Sequence, residues 1–269
     1  MPYAYARCAA LIVCVCLAGL TFAPSAHAET LRLGGTGSAS ELLRRLGPAF
    51  EAEGGIRLEL IASLGSSGAI RALVDGAIDV AVTGRRLKPQ ELASGLSVLL
   101  TLRTPFVLAT SHPEPDGMSL AGVADAFRSQ RAAWSDGVPI RPILRPESES
   151  DITLIGELFP DIARAIAVAR GRPDIPVAAT DQDNAEMAEQ TPGSLVMSTL
   201  TQITMERRDL RLVAIDGVEP TFENFERGLY THAKSLFVVG TRGSASAERF
   251  GAFLRSSVGQ RILRDAKVL

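Results

Sequence analysis

The sequence predicts an α/β fold, and three observations support this prediction. Between Leu31 and Leu87, an apolar strand, a loop of small residues and the start of a helix follow one another three times. A middle block of mixed strands and helices comes next, and the chain closes with an extended segment from Tyr230 to Val239 and two helices. Such alternation is typical of layered α/β domains.

The three repeated units end in loops whose composition suits an anion. Their strands lie at 31–33, 58–62 and 78–82, and each is followed by a loop rich in glycine, hydroxyl or arginine side chains. In an open α/β sheet, ligands bind where strands end and helices begin. Glycine lets the backbone approach a ligand, and the free N–H groups of a helix start favour an anion. These loops therefore predict half of a pocket for a small anion.

The same loops have a simpler interpretation, because serine and glycine are common at helix N-termini. Ser38 and Glu41 have the spacing of a capping box for the first helix, and Ser66 or Ser67 could cap the second. A single loop of this kind is more often a cap than a binding site. Three of them at one edge of a sheet favour the binding interpretation.

The first 28 residues have the pattern of a secretory signal peptide. An apolar run from Ala9 to Ala23 follows a single arginine, and a small-x-small sequence ends at Ala28. The alternative is a membrane anchor, but the run is shorter than the ~20 residues of a typical span. We therefore expect cleavage after Ala28 and export to the periplasm. All three cysteines lie in this segment, so the mature chain would have no thiol chemistry.

Charge and side-chain spacing argue against several function classes. The formal net charge of −2 is too weak and too mixed for nucleic acid, whose binders carry a clustered basic face. His112 and His232, which remain after the signal peptide, do not have metal-ligand spacing. Ser66 lacks both the Gly-x-Ser-x-Gly elbow and an identifiable base. We therefore expect no catalysis, no metal site and no cofactor.

The order of these motifs resembles the type II periplasmic solute-binding proteins, in particular the phosphate-binding subunit of bacterial ABC uptake systems. The resemblance rests on the loop at 35–38, on Gly-Ser-Ser-Gly at 65–68 opening a helix, on the strand from Asp79 to Thr83, and on Arg145 ending a later strand. It covers essentially the whole mature chain in the order of its elements. It implies two α/β lobes with mixed sheets and flanking helices, joined by crossover strands and closing on one ligand.

The resemblance also implies lobe boundaries. We place the crossings near Thr104, between apolar strands at 96–102 and 105–109, and near Tyr230. The signal peptide would be 1–28, the first part of lobe 1 would be 29–104, lobe 2 would be 105–229, and the return strand and C-terminal helices of lobe 1 would be 230–269.

Position by position, the resemblance implies a set of ligand-binding residues in the three loops and at the end of the lobe-two strand. Arg85 is added because a guanidinium group suits bidentate recognition of an oxyanion. We expect Trp134 to pack in the core rather than to contact the ligand. We expect Asp79 to cap an element or to support the hinge. The predicted ligand-binding residues are Thr36, Gly37, Ser38, Ser66, Ser67, Gly68, Thr83, Arg85 and Arg145.

Two features depart from the phosphate-binding pattern. Gly84 stands where those proteins typically carry an aspartate that accepts the proton of hydrogen phosphate. The polar loop 145–151 carries Glu149 and Asp151 at the places of a serine and a threonine. A carboxylate near 4 Å from a dianion is repelled by roughly 1 to 4 kcal/mol per charge pair. Unless these side chains point away, affinity for phosphate should be low.

Three functional hypotheses follow. The first is an exported monomer that captures a small anion, phosphate or a related oxyanion, for ABC-type uptake through a membrane permease. The second is a periplasmic sensory or regulatory module on the same fold, with a membrane sensor as its partner. The third is a relative that has lost ligand binding and acts as a protein-interaction domain. The acids Glu149 and Asp151 favour the last two.

Overall fold

The structure is a computed structural model that describes residues 29–62 and 64–269. The expected signal peptide lies outside the described residues and stays a prediction. None of the helices in the described part of the chain is long and apolar enough to span a bilayer.

The described residues form an eight-stranded mixed sheet flanked by helices, which confirms the predicted α/β fold. The strands are β1 (Thr30–Gly35), β2 (Arg57–Ile61), β3 (Val80–Thr83), β4 (Leu96–Thr110), β5 (Arg141–Pro142), β6 (Ser194–Thr199), β7 (Arg211–Val213) and β8 (Ala233–Thr241). The helices are α1 (Ser40–Gly54), α2 (Gly65–Val74), α3 (Pro89–Ala93), α4 (Leu120–Arg128), α5 (Ser150–Leu158), α6 (Pro160–Ala169), α7 (Asp181–Gln190), α8 (Leu200–Met205), α9 (Phe222–Glu226), α10 (Ala245–Arg255) and α11 (Ser257–Asp265). A 3-10 turn at Gly37–Ala39 precedes α1.

The first lobe is built on β2, β1 and β3, which run parallel, followed by β8, which is antiparallel to β3. One face of this sheet packs with α1, α10 and α11 around Leu33, Leu46 and Phe250. The other face packs with α2 around Ile70 and Val239. Because β1 and β3 are adjacent and parallel, the loops that follow them meet at one edge of the sheet.

The long strand β4 leads from the first lobe to the second. Residues 96–105 pair with β8, whereas 106–110 pair with β6 and β7. The sequence predicts two strands here, and the structure has one continuous strand. Pro105 does not interrupt it, because this proline lies where the ladder changes its partner and a missing N–H is tolerated.

The second lobe has its own apolar core around Phe106, Phe127 and Leu195, enclosed by α4, α5 and α6. The fold is therefore two-lobed, and β4 and β8 run between the two cores. The residue bounds given above for each lobe stay a prediction. The next helix of this lobe, α5, begins at Ser150, so Asp151 belongs to a helix and not to the predicted loop at 145–151.

Candidate ligand-binding site between the lobes

The three glycine- and hydroxyl-rich loops of the first lobe lie in direct contact. The N–H of Thr36 donates a hydrogen bond to the carbonyl of Val82 at 2.9 Å. The N–H of Gly84 donates to Ser66 Oγ, also at 2.9 Å. The parallel order of the strands thus gathers the loops into one polar surface that faces the second lobe.

Ser38 does not cap α1, and neither Ser66 nor Ser67 caps α2, so both capping predictions are wrong. Ser38 lies in the 3-10 turn and α1 begins only at Ser40, without a side-chain cap. Helix α2 begins at Gly65, one residue before Ser66, and also lacks a side-chain cap. Both hydroxyls have tertiary partners instead, because Ser38 Oγ accepts from Lys234 Nζ at 3.2 Å and Ser66 Oγ accepts from the next loop.

Arg145 is 8% exposed and lies in the second lobe, three residues after β5. Its Nη1 donates to the carbonyl of Ala178 at 2.6 Å, and its Nη2 donates to Asp181 Oδ1 at 3.3 Å. The same Nη2 lies 3.4 Å from Glu149 Oε2. The guanidinium group is therefore already surrounded by carboxylates of its own chain.

Asp181, which sequence reasoning did not select, crosses the cleft from the first turn of α7. Its Oδ2 accepts a hydrogen bond from the backbone N–H of Ser38 at 2.8 Å and from the hydroxyl of Thr36 at 3.4 Å. Gly37 permits this approach, since a Cβ at that residue would lie 2.7 Å from Asp181 Oδ2. The available sequence signal is that Asp181 follows the short apolar segment 175–179 by two residues.

Lys234, on the return strand β8, is the second residue that the sequence did not reveal as part of the site. It is 1% exposed, and its Nζ lies 2.5 Å from Asp151 Oδ1. Burial alone would lower the pKa of this lysine, but the nearby carboxylates of Asp151 and Asp181 outweigh burial and raise it. The ammonium group therefore stays charged. A lone lysine inside an otherwise apolar strand is the available sequence signal.

Glu149 and Asp151 both face the cleft rather than solvent, through their contacts with Arg145 and Lys234. Burial, followed by the repulsion of Asp181 and Asp151, raises the pKa of Glu149, although Arg145 and Lys234 act in the opposite direction. The inner cleft thus combines two cations with three carboxylates, which gives it no surplus of positive charge.

Gly84, the other departure from the phosphate-binding pattern, has a steric explanation. A Cβ at this position would lie 2.8 Å from Ser150 Oγ and 2.9 Å from Lys234 Cε. An aspartate here would displace the lysine or push the lobes apart. The glycine and the buried Lys234–Asp151 pair therefore belong together.

A cavity of about 370 Å³ lies between the lobes beside these charges. Helix α2 begins at the wall formed by the first lobe, and helix α5 begins at the wall formed by the second. Arg85 stands on the first wall in a bidentate pair with Glu91, and it lowers the pKa of that carboxyl. The lining residues are Leu64, Gly65, Ser66, Ser67, Gly68, Arg85, Lys88, Ser148, Glu149, Ser150 and Thr153.

The predicted ligand-binding residues thus divide into two groups. Ser66, Ser67, Gly68 and Arg85 line the cavity. Thr36, Gly37, Ser38 and Arg145 contact residues of the second lobe at the inner end of the cleft. Thr83 is fully buried, and its hydroxyl donates to the carbonyl of Arg85 at 2.8 Å, so it orders the third loop. Ligand contact by each of these residues stays a prediction.

Other residues considered in the sequence lie outside this region. Trp134 is buried in the core of the second lobe, and its indole N–H donates to the carbonyl of Gly193 at 3.3 Å. Asp79 pairs with Arg32 at 3.0 Å. Within residues 29–62 and 64–269, no group of three or more histidine, cysteine or acidic side chains is arranged to hold a metal ion.

Comparisons with known proteins agree on the fold. The family model of the PBP superfamily domain matches residues 21–257. A search of curated proteins gave no match to the sequence. Among the solved structures, one match is a substrate-binding protein of phosphate ABC transport from Clostridium perfringens with bound phosphate. Its sequence is 18% identical, the match covers 90% of this chain and 99% of that chain, and the TM-score is 0.74.

Two further structures match over nearly their whole length. An ABC-type phosphate transport receptor from Vibrio cholerae is 13% identical, with 88% of this chain and 98% of that chain covered and a TM-score of 0.58. The periplasmic molybdate-binding protein of Azotobacter vinelandii is also 13% identical, with 89% and 98% covered and a TM-score of 0.57. The chain belongs to the PBP superfamily, with the two-lobed fold of the phosphate-binding-protein-like type II periplasmic binding proteins.

Proposed function

We propose that this chain is an exported solute-binding protein that captures a small solute bearing an oxyanion group between its lobes. One observation carries the proposal: the interlobe cavity is flanked by the N-termini of α2 and α5, one from each lobe, and by Arg85 and Lys88. A helix N-terminus carries partial positive charge and free N–H donors, and both favour an anion. Neither helix uses a side-chain cap that would occupy these donors.

The mechanism is closure of the lobes on the solute. Ser67 and Arg85 belong to the first lobe, whereas Ser148 and Ser150 belong to the second. A solute that contacts both walls stabilises the closed state, because it has its full set of partners only when the lobes meet. Binding of this kind requires no nucleophile and no general base.

The remaining parts of the proposal rest on the family and on the comparisons. The matched structure with bound phosphate and the molybdate-binding protein support an oxyanion as the recognised group. The matched proteins from Clostridium perfringens and Vibrio cholerae are both described as parts of ABC transport systems. They support a membrane permease as the partner of the closed, monomeric protein. The amino-terminal pattern ending at Ala28 supports export to the periplasm.

Thermal unfolding of residues 29–269 tests the proposal. The panel contains phosphate, sulfate, molybdate, phosphomonoesters, phosphonates and small carboxylates. A ligand at about 1,000 times its dissociation constant stabilises by roughly 4 kcal/mol, which raises the Tm of a chain of this size by about 8 to 16 °C. We expect such a shift with at least one oxyanion-bearing compound.

Two lysine variants test whether the stabilising ligand binds in the cavity. Lys88→Met removes a cation from the cavity wall and should reduce the shift. Lys267→Met, near the C-terminus and outside the cavity lining, should leave it unchanged. Equal shifts in both variants would contradict the placement of the site. No shift with any compound would contradict solute binding and favour a protein-interaction role.

A further inference from the structure

The carboxylate of Asp181 has the surroundings of a bound oxyanion. One of its oxygens accepts a backbone N–H from Ser38 and a hydroxyl from Thr36, and the other accepts from the guanidinium of Arg145. The residue is 8% exposed, although it starts a helix in the second lobe and its partners Thr36 and Ser38 belong to the first. The donors of the inner cleft are therefore engaged by a carboxylate of the chain itself.

Neighbouring contacts hold this arrangement in place across the cleft. Gln182 Nε2 donates to the carbonyl of Gly37 at 3.0 Å, directly beside Asp181. Lys234 Nζ bridges Ser38 Oγ and Asp151. Together with the hydrogen bond from Ser38 to Asp181, these contacts join the two lobes at the inner end of the cleft.

We propose that Asp181 is a tethered anion that fills the inner oxyanion position, excludes free inorganic oxyanions and confines the solute to the outer cavity. The inference rests on the proposed function and names its substrate class: a single anionic group on an organic body. The outer cavity of about 370 Å³ lies within the range of roughly 300 to 1,000 Å³ typical of pockets for organic ligands. The carboxylates of Glu149, Asp151 and Asp181 repel a second full charge at the inner end.

Chemical rescue tests the tethered anion directly. Asp181→Ala leaves the donors on Thr36, Ser38 and Arg145 without their carboxylate and opens a space of the size of formate. We expect the variant to unfold at a lower temperature than wild type and to be restored by sodium formate. At ten times its dissociation constant, formate should raise the Tm by about 3 to 6 °C. Wild type in the same formate series should shift by less than about 1 °C.

Two controls separate rescue from a general salt effect. Asp161 is also an acid in the first turn of a helix with an arginine partner, Arg164, but it is exposed. Asp161→Ala should therefore show no rescue by formate. Asp181→Asn keeps the volume and removes the charge, so it should be destabilised without rescue, because the space stays filled.

The outcomes distinguish this inference from the proposed function. Absence of rescue in Asp181→Ala, or equal rescue in Asp161→Ala, would overturn the tethered anion. If Asp181→Ala does not fold, thermal unfolding of wild type tests the inference instead. The inference is overturned if inorganic phosphate or sulfate stabilises wild type as much as organic oxyanions do. The formate experiment can be carried out without knowing which solute the protein binds. Failure of the proposed function would instead be seen as no stabilisation of wild type by any anion.

Discussion

The buried ion pair at the inner end of the cleft gives a prediction whose size follows from the geometry. Lys234→Met keeps most of the length of the side chain and removes its charge. It leaves the side chain of Asp151, which is 10% exposed, without the ammonium group 2.5 Å away. It also removes the donor to Ser38 Oγ at 3.2 Å.

Removing one partner of a buried ion pair typically costs about 3–5 kcal/mol, because an uncompensated charge is left behind. For a chain of this size, each kcal/mol lowers the Tm by about 2 to 4 °C, so the variant should unfold about 6 to 20 °C below wild type.

The pH range of the lysine's contribution follows from the sign of its shift. The pKa of Lys234 is raised above its ordinary value of 10.5, since the carboxylates outweigh the effect of burial. The stabilisation is therefore fully present below 10.5 and is lost as the pH rises through the higher pKa of the folded state. Lys234 should therefore cause no change in wild-type stability as the pH varies around 7.

A double-mutant cycle with Asp151→Asn isolates the pair. Guanidinium denaturation followed by far-UV circular dichroism gives the free energy of unfolding of wild type, both single variants and the double variant. Lys234→Met and Asp151→Asn should couple by more than about 1 kcal/mol, whereas independent sites add within roughly 0.5 kcal/mol. Additive effects, or a loss of less than about 1 kcal/mol in Lys234→Met, would refute the reasoning.

Three further predictions concern the charge, the steric fit and the acid sensitivity of the fold. Glu149→Gln should increase anion affinity about fivefold at pH 7, because it removes a repulsive charge. We expect the anion affinity of wild type to rise as the pH falls towards 4.5, since the pKa of Glu149 is raised and its protonation relieves the repulsion. The variant should lack this rise, and calorimetry that shows the same pH profile for both proteins would contradict the prediction. Gly37→Ala should expand the protein in small-angle scattering, because its Cβ would lie 2.7 Å from a carboxylate oxygen of the second lobe, whereas Gly68→Ala, with its nearest neighbour at 3.7 Å, should not. Burial alone would raise the pKa of Asp79, but the hydrogen bonds and charge of Arg32 lower it. Its stabilisation is therefore fully present above pH 3.8 and is lost as the pH falls through the lower pKa of the folded state. Asp79→Asn should cost about 1 kcal/mol in urea at pH 7, and this cost should decrease steadily in strong acid; a cost that does not depend on pH would contradict the prediction.

The alternation of strands and helices, and the meeting of the three first-lobe loops, could be predicted because they depend on local patterns. Apolar strands such as 78–82 are followed at once by glycine or hydroxyl residues, and parallel neighbours bring such loops to one edge. The capping predictions rest on the same kind of local pattern, and they are wrong. Ser38 and Ser66 have good capping spacing, but tertiary partners attract their hydroxyls more effectively than the adjacent helix starts do.

The residues that close the cleft could not be found in this way. Asp181 lies 143 residues from Ser38, and Lys234 lies 196 residues from it. Their contacts depend on how the second lobe docks against the first, which no local pattern specifies. The orientation of Glu149 and Asp151 cannot be predicted from local patterns for the same reason, because it depends on where α5 begins and on the buried lysine that faces Asp151.

The most direct test of solute capture is a crystal structure of the wild-type protein with the most stabilising compound of the thermal panel. The account predicts closed lobes and an oxyanion group between the N-termini of α2 and α5, within hydrogen-bond distance of backbone N–H groups at Ser67 and Ser150. The carboxylate of Asp181 should keep its place against Ser38. A compound bound outside this cavity, or an anion that displaces Asp181 from the inner cleft, would contradict it.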